Sequence, residues 1–588
     1  MTPPESVPEW LRRAAERGRE GQDGIRVLDR KERPTLLSWA QIADRARRAA
    51  SVLAAAGVGR GDAVAIVLPT SHAFFDAYLG AQWLGAVPVP LYPPVRIGRL
   101  DEYWERTSAM LRAVRPVVWV GQRRIASLLG GVSGAPPWVW ASSLLDGDPC
   151  EVLPVDADTV GMVQFSSGTT VAPKPVALTH RQMLANASCI LEIILSHGQK
   201  EPGGVSWLPL YHDMGLIGMM LAPLVWGCSG VFIPTLTFVK HPSMWLETVS
   251  KYRGTTTFAP NFAYAIAVRR TNAKKLAKLD LSCLRIVGCG AEPNHPETLE
   301  KFVEHFKPAG LKPEAMLPVY GMAEATLAMS FSKLTDPIRI DKVDGQRYAD
   351  EGRAVAVAHA PGSALELPNG QLEYVTCGWA LHGHTVKICA EDGTVLPDRT
   401  LGEVVFDGPS IAAGYYKNPQ ATKDVFKPWG LRTGDLGYTV GGELYVTGRQ
   451  KDIIILNGRN YDPQTIEWVV ADLEGVRKGN VVAFSVLGQQ SEDLIVVAEA
   501  RPGVDEDALK QAAQDAVRNE LFLNVADVVL LAPGGLPKTS SGKLQRSKTR
   551  QRYLDKTISD GGSRTMGSRG QTITVARHMV RSLVSRVK

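Results

Sequence analysis

The sequence predicts an α/β fold: a large N-terminal domain with mostly parallel sheets, followed by a small, mobile α+β domain. Three observations predict it. Short, almost wholly apolar runs alternate with helical patterns upstream of residue 430, as strands buried on both faces require. After Thr433-Gly434-Asp435 the texture changes to strands grouped around few helices. The length of 588 residues, 45% hydrophobic and 21% charged, leaves ample apolar surface for more than one core.

Taken in order, Leu37 to Gly57 has a helical pattern that stops at a glycine after Leu53-Ala54-Ala55-Ala56. Asp62 to Pro69 reads as a buried strand, Ser71 to Leu84 as a helix, and Ala86 to Pro90 as the next strand. Val117–Val120, Thr255–Phe258 and Arg285–Gly288 repeat the apolar strand pattern. Met214 to Val239 carries no charge, but Pro223, Pro234 and four glycines break it. It is expected as a buried helix (Leu216 to Val225) and a buried strand (Gly230 to Pro234), not as a membrane span. In the C-terminal part, Glu443–Thr447, Ile453–Leu456, Val481–Phe484 and Leu494–Ala498 read as strands, and Asp505 to Leu521 as a helix. The charged step Gly448-Arg449-Gln450-Lys451-Asp452 is the expected hinge. The domain limits follow as 1–447, 448–555 and a basic tail from 556 to 588.

The formal charge of +6 resides in that tail, which holds seven basic residues and one acid; the remainder has 59 of each sign. The body is therefore neutral, which argues against nucleic acid as a partner. Gly561 to Gly570 is Gly/Ser/Arg-rich, and Thr574 to Lys588 has a basic amphipathic pattern. Seven cysteines without metal-ligand spacing indicate a reducing, cytoplasmic compartment and no structural zinc. The N-terminus has no signal-peptide pattern.

Two distant segments suit phosphates. Phe165-Ser166-Ser167-Gly168-Thr169-Thr170-Val171-Ala172-Pro173-Lys174 offers amides, hydroxyls and a lysine. Pro537-Lys538-Thr539-Ser540-Ser541-Gly542-Lys543 is a flexible turn that delivers one lysine. Between them, Tyr320-Gly321-Met322-Ala323-Glu324 sets an acid at a turn, where Glu324 is suited to a hydrated Mg²⁺ beside phosphates. Asp435, in a tight Thr-Gly-Asp turn, is suited to vicinal hydroxyls such as those of ribose. Taken alone, Glu324 is equally a helix-start acid, Asp435 a turn residue and Lys543 a surface lysine; the ordered set argues for a nucleotide site.

That ordered set, with Gly402-Glu403-Val404 through Gly414-Tyr415 and Arg432 to Asp435, resembles the adenylate-forming superfamily of acyl and aryl ligases over about residues 25–555. Within it the chain most resembles the fatty acyl-AMP ligases. The segments Pro88 to Pro94, Trp207 to Gly218, Phe258 to Tyr264 and Gly290-Ala291-Glu292-Pro293 carry that likeness. So does an extra stretch at about 343–374, where that family has an insertion that restrains the C-terminal domain and accompanies loss of coenzyme A use. The resemblance implies ATP and Mg²⁺ as cofactors. Ser166, Ser167, Gly168, Thr169, Thr170 and Lys174 would bind phosphates, with Thr169 also counted among the catalytic residues. Gly290, Ala291, Glu292 and Tyr320 would line the adenine pocket, with Gly321 and Met322 also counted as cofactor-binding; Asp435 and Arg449 would hold the ribose, and Glu324 the metal. Lys543 would act in adenylation, Lys451 would be the hinge, and His212 would sit near the acyl carboxylate. A core histidine remains the alternative for His212, and core or tunnel wall are both open for the aromatics of Phe258 to Tyr264.

The resemblance implies activation of a fatty acid as its acyl adenylate and transfer to a separate acyl carrier protein. A coenzyme A ligase and a catalytically silent acyl-binding protein are the alternatives. Val171 and Pro175 depart from the usual loop. Proline removes an N–H and favours extended geometry before it, so one phosphate donor fewer is expected.

Overall fold

The computed structural model describes residues 6–17, 23–28, 34–94, 100–130, 132–151, 154–166, 173–196, 203–333, 337–357, 371–456, 459–487, 492–539 and 542–558. The phosphate loop from 167 to 172, the serines at 540 and 541, and the tail beyond 558 therefore lie outside the described residues.

The α/β expectation holds. Six parallel strands (Met316–Gly321, Ile286–Cys289, Thr256–Ala259, Gly203–Ser206, Ser229–Phe232, Gly24–Leu28) form the middle of a nine-stranded sheet. Antiparallel strands occur only at its edges: Ala328–Phe331 and Trp379–Ala380 on one side, Pro34–Ser38 on the other. A second, wholly parallel sheet joins Val87–Pro90, Ala63–Val67, Val118–Gly121 and Trp138–Trp140. Ala63–Val67 is buried at every residue, which is why it reads as an unbroken apolar run.

Three readings shift. The first helix of the alternation spans Trp39–Ala55, because the Ser38 side chain and Gln41 form a reciprocal capping box; residues 34–38 belong to a strand. The uncharged stretch is a π-helix, Met214–Leu221, followed by an α-helix, Ala222–Trp226, and a strand, Ser229–Phe232. Such widened turns are frequent at functional sites. Among the described residues no helix is long and apolar enough to cross a membrane. Pro175 opens the strand Pro175–Thr179, opposite Phe165, and its carbonyl accepts the Tyr416 amide at 2.7 Å. A strand's first residue is where proline is tolerated, so its missing N–H has a place in the fold.

Beyond the parallel sheets, an antiparallel sheet contains Thr385–Cys389, Gly402–Asp407, Gly430–Val440 and Glu443–Arg449. The last strand runs through Gly448 and Arg449, so the chain leaves this sheet at Gln450–Asp452. From Ile454 onward the apolar residues form cores of their own. There a three-stranded sheet (Val476–Leu487, Glu492–Ala500, Val525–Leu531) packs with the helices Pro463–Ala471, Glu506–Leu521 and Arg546–Leu554.

The extra stretch forms a hairpin, Ile340–Asp344 with Gln371–Val375, and a helix, Gly345–Glu351; residues 358–370 lie outside the described set. Its Val343, Tyr348 and Tyr374 pack against Tyr438 and Tyr445 of the antiparallel sheet. Asp350 reaches the C-terminal part, pairing with Arg459 at 2.8 Å.

Asp462 caps the helix Pro463–Ala471 through the Gln464 amide at 3.1 Å, but its buried Oδ2 has no hydrogen-bond partner. Burial, opposed by that amide and Arg546, pushes its carboxyl up from 3.8 to about 7. In the unfolded chain the group ionises near 3.8, so between these values the folded state holds the extra proton. This group's effect therefore lowers stability as the pH rises from about 4 to 7. Asp462→Asn keeps the cap and should stabilise the chain by about 2 kcal/mol at pH 8 and little at pH 4. Denaturant unfolding across that pH range checks it.

Candidate active site

One cavity of about 1880 Å³ collects residues from both parallel-sheet and antiparallel-sheet regions and from the C-terminal part. Its polar end begins at Asp435. Antiparallel register sets Asp435 opposite Arg449, and Arg449 Nε donates to Asp435 Oδ1 at 2.8 Å. The Tyr320 hydroxyl donates to Oδ2 at 2.7 Å. Beneath this group lies Glu403, buried, pairing with Arg432 at 2.6 Å and accepting the Gly434 amide at 2.9 Å. The Thr433 hydroxyl receives the Asp435 amide at 3.1 Å and donates to the Val404 carbonyl at 2.7 Å. Asp435 is thus held by its own turn, by the neighbouring strand and by Tyr320.

Glu324 lies on a single turn, Ala323–Ala325, and accepts the Tyr415 hydroxyl at 2.9 Å. Gly321 makes the preceding bend possible, since a Cβ there would lie 1.9 Å from the Leu327 carbonyl oxygen. Burial pushes the Glu324 carboxyl up, against the pull of Tyr415 and of the Arg449 and Lys174 charges. It lines the cavity, and no lysine or arginine pairs with it among the described residues. A single buried carboxylate lacking a cation fits Mg²⁺ held jointly with phosphates, the usual mode for this ion. Lys174 stands nearby with its ammonium 4.7 Å over the Tyr415 ring, and Ser166 closes the foot of the loop through its amide on the Lys174 carbonyl at 2.9 Å.

Lys543 enters from the C-terminal part on a turn tied by reciprocal Thr539 contacts: Thr539 amide to Lys543 carbonyl at 2.7 Å, Lys543 amide to Thr539 hydroxyl at 3.0 Å. Gly542 takes φ +95°, a conformation that favours glycine. Burial depresses the Lys543 ammonium below its ordinary value, and the charges of Asp213, Glu292 and Asp435 oppose that effect. Glu292 accepts the Phe262 amide at 2.6 Å at the start of the helix Asn261–Arg270; burial nevertheless pushes its carboxyl up. His212 Nδ1 lies 2.5 Å from Asp213 Oδ1. Burial would raise the Asp213 carboxyl, but His212, Lys543 and the Met214 amide outweigh it and hold it below its ordinary value.

The apolar arm of the cavity is walled by Trp207, Phe238, Phe258, Phe262 and Ile266. Trp207 stacks on Phe238 with ring centres 3.8 Å apart. This divides the aromatics left open by the sequence: Phe258 and Phe262 face the cavity, whereas Tyr264 is fully buried, donating to the Gly288 carbonyl at 2.5 Å.

Of the residues expected from the sequence, Ser166, Lys174, His212, Ala291, Glu292, Tyr320, Gly321, Met322, Glu324, Asp435, Arg449 and Lys543 all line this cavity, as does Lys451. Gly290 does not; a Cβ there would meet Val319 Cγ2 at 2.7 Å, so its smallness serves packing. Ser167, Gly168, Thr169 and Thr170 lie outside the described residues, as does Val171. Sequence reasoning gave no role to Asp213, Glu403 or Tyr415. All three stand inside recognised motifs; the partners of Glu403 and Tyr415 lie on other strands or turns, whereas Asp213 pairs with the adjacent His212. Among the described residues no cluster of three or more metal-ligating side chains occurs.

A model of the AMP-binding enzyme family matches residues 15–416. A Caulobacter vibrioides protein provisionally named an acyl-CoA synthetase is 35% identical over 549 residues, 92% of this chain and 94% of its own length. A medium-chain-fatty-acid–[acyl-carrier-protein] ligase of Moorena producens is 33% identical over 550 residues, 89% of this chain and 90% of its own. A solved structure from work on fatty acyl-adenylate ligases of E. coli and L. pneumophila superposes with a TM-score of 0.86 at 31% identity. It covers 94% of this chain and 98% of its own.

Glu403→Ala removes the buried partner of Arg432 and of the Gly434 amide. We expect a loss of about 3 kcal/mol in denaturant unfolding and weaker nucleotide binding in calorimetry, because the Asp435 turn loses its support.

Proposed function

The chain belongs to the AMP-binding enzyme family, and within it we propose that it activates a fatty acid as an acyl adenylate and passes the acyl group to an acyl carrier protein. The observation that carries this reading is one cavity whose polar end holds Asp435, Glu324 and Lys543 and whose other arm is aromatic and aliphatic. The first suits a nucleotide, the second an alkyl chain. The Moorena relative's name supports the carrier protein as acceptor.

In the first half-reaction a carboxylate oxygen attacks the α-phosphorus of ATP and pyrophosphate leaves. A carboxylate is already ionised at neutral pH, so no strong base is required. The obstacle is that two anions must meet. Lys543 supplies a compact positive charge between them, and Lys174 with the loop amides receives the departing phosphates. Asp435, held by Tyr320 and Arg449, accepts hydrogen bonds from the ribose hydroxyls. Glu324 would hold Mg²⁺, which when bound neutralises phosphate charge. The Asp213 carboxylate orients His212, which lines the same cavity and would face the acyl carboxylate. The mixed anhydride is prone to hydrolysis, so a site closed by the C-terminal part protects it. We place the hinge at Lys451, where the chain has left the antiparallel sheet, with the residues after it, to 555, as the lid; Gly448 and Arg449, expected in the lid, belong to a strand of the body. In the second half-reaction a thiolate attacks the acyl carbon and AMP leaves.

Lys543→Ala should lower acyl-adenylate formation by on the order of 10²–10³ or more, with folding and ATP binding retained; pyrophosphate release reads the first and calorimetry the second. The name of the Caulobacter relative favours a second reading, transfer to coenzyme A. Incubation with Mg-ATP and fatty acids of graded length, with and without coenzyme A, separates the two. Acyl-AMP that persists beside coenzyme A is the expected product; rapid conversion to acyl-CoA would establish the second reading instead.

A further inference from the structure

A charge that acts at a reacting atom has to be held to within about 0.5 Å. The turn that carries Lys543 is braced at both ends. At its start the Lys538 ammonium donates to Asn480 Oδ1 at 2.6 Å. Across its base the Gln545 amide donates to the Pro537 carbonyl at 3.0 Å. At its end stands Arg546, the first residue of the helix Arg546–Leu554. Arg546, Asp452 and Glu467 line the same cavity as Lys543.

Arg546 divides its donors between two elements. Nε and Nη2 both reach Glu467 Oε1, at 3.1 and 2.7 Å. Glu467 lies on the helix Pro463–Ala471, and the same oxygen accepts the Ala483 amide at 2.9 Å, so these contacts stay inside the C-terminal part. Nη1 points elsewhere and donates to Asp452 Oδ2 at 2.5 Å. Asp452 ends the turn Gln450–Asp452, which follows directly on the strand Glu443–Arg449. Its carboxylate has no other hydrogen-bond partner among the described residues. Arg546 and Asp452 are 94 positions apart, and their side chains are only 16% and 8% exposed, so salt screens the pair little. The Glu467 contacts alone suffice to fasten the helix Arg546–Leu554 to its own core. The remaining donor runs from the lysine-bearing turn to the place where the chain leaves the body.

We propose that Arg546 is a positioning residue for Lys543, with Asp452 as its anchor at the hinge. The pair joins two points close to the reaction centre. Arg449, which faces Asp435, precedes Asp452 by less than one turn of chain, and Lys543 stands equally close to Arg546. A planar guanidinium held by two carboxylates is fixed in orientation as well as in place. The lysine-bearing turn is therefore set relative to the strand that holds Arg449, rather than only relative to the C-terminal core. Without the Asp452 carboxylate, Arg546 keeps Glu467 and the C-terminal part keeps its fold, but the turn loses its link to the hinge. Lys543 then spends less time where the carboxylate meets the α-phosphorus. The inference rests on the roles given above to Lys543 and Lys451.

Asp452→Ala in the full chain tests this with two measurements, pyrophosphate release from Mg-ATP and fatty acid, and amide hydrogen exchange. We expect kcat to fall on the order of tenfold or more, with KM for ATP and its calorimetric affinity little changed. Exchange should quicken at the Thr539, Gly542 and Gln545 amides, which are hydrogen-bonded within the turn. The strands Val476–Leu487 and Glu492–Ala500 should keep their protection. Asp452→Asn, which retains an acceptor for Nη1, should keep part of kcat, and Arg546→Lys, which cannot hold both carboxylates, should fall below the parent. Circular dichroism and the denaturant midpoint establish that the variants are folded. A kcat equal to that of the parent overturns the proposal. So does exchange that is unchanged in the turn, or that quickens equally throughout the C-terminal part, as a merely structural role would give. The exchange measurement needs no substrate, so a parent chain that activates no fatty acid sinks the reading of function alone, and exchange still judges the link between Asp452 and the turn.

Discussion

A lysine carried by one hydrophobic core has to stand inside a cavity built largely by another. Lys543 belongs to the C-terminal part, whose buried apolar residues form cores of their own, yet it faces Asp213, Glu292 and Asp435 of the body. An ammonium taken into a buried site loses hydration, and the acids around it offset that loss. Much of the structure serves this placement: the turn braced by Thr539, the left-handed Gly542, and the contacts of Trp468 and Lys478 with the body.

The acids divide by environment into distinct tasks. Asp435 is held by Tyr320 and Arg449, with its turn supported by Glu403, and is already an acceptor for hydroxyls. Glu324 has only the Tyr415 hydroxyl as a side-chain partner, and burial raises it, so a cation placed against it would favour its charged form. Asp213 is drawn down by His212 and Lys543 and remains anionic beside the imidazole. Three carboxylates thus take different tasks because of their partners.

Local patterning made the parallel strands legible. Ala63–Val67 and Ile286–Cys289 are buried on both faces, and that burial writes itself as consecutive apolar residues. The residues proposed for the nucleotide were legible for a different reason: Tyr320 through Glu324, Asp435 and Lys543 occur as short motifs in a recognisable order. Less legible were the features set by backbone competition. The capping box at Ser38 moved a helix start, the run after Asp213 widened into a π-helix, and Pro175 proved to be the first residue of a strand. Each depends on which of several available hydrogen bonds forms, and composition does not decide that.

The sequence by itself determined the fold class, the neutral body with its basic tail, and the residue types that meet a nucleotide and a fatty acid. Those properties are carried by periodicity and by motifs a few residues long. The tertiary structure alone decided that Arg449 faces Asp435, that Glu403 supports their turn, that Phe258 and Phe262 rather than Tyr264 wall the apolar arm, and that Gly542 comes beside Phe262. These pairings join residues from 14 to more than 200 positions apart. They follow from strand register and from the docking of two cores, and no short stretch of sequence encodes either.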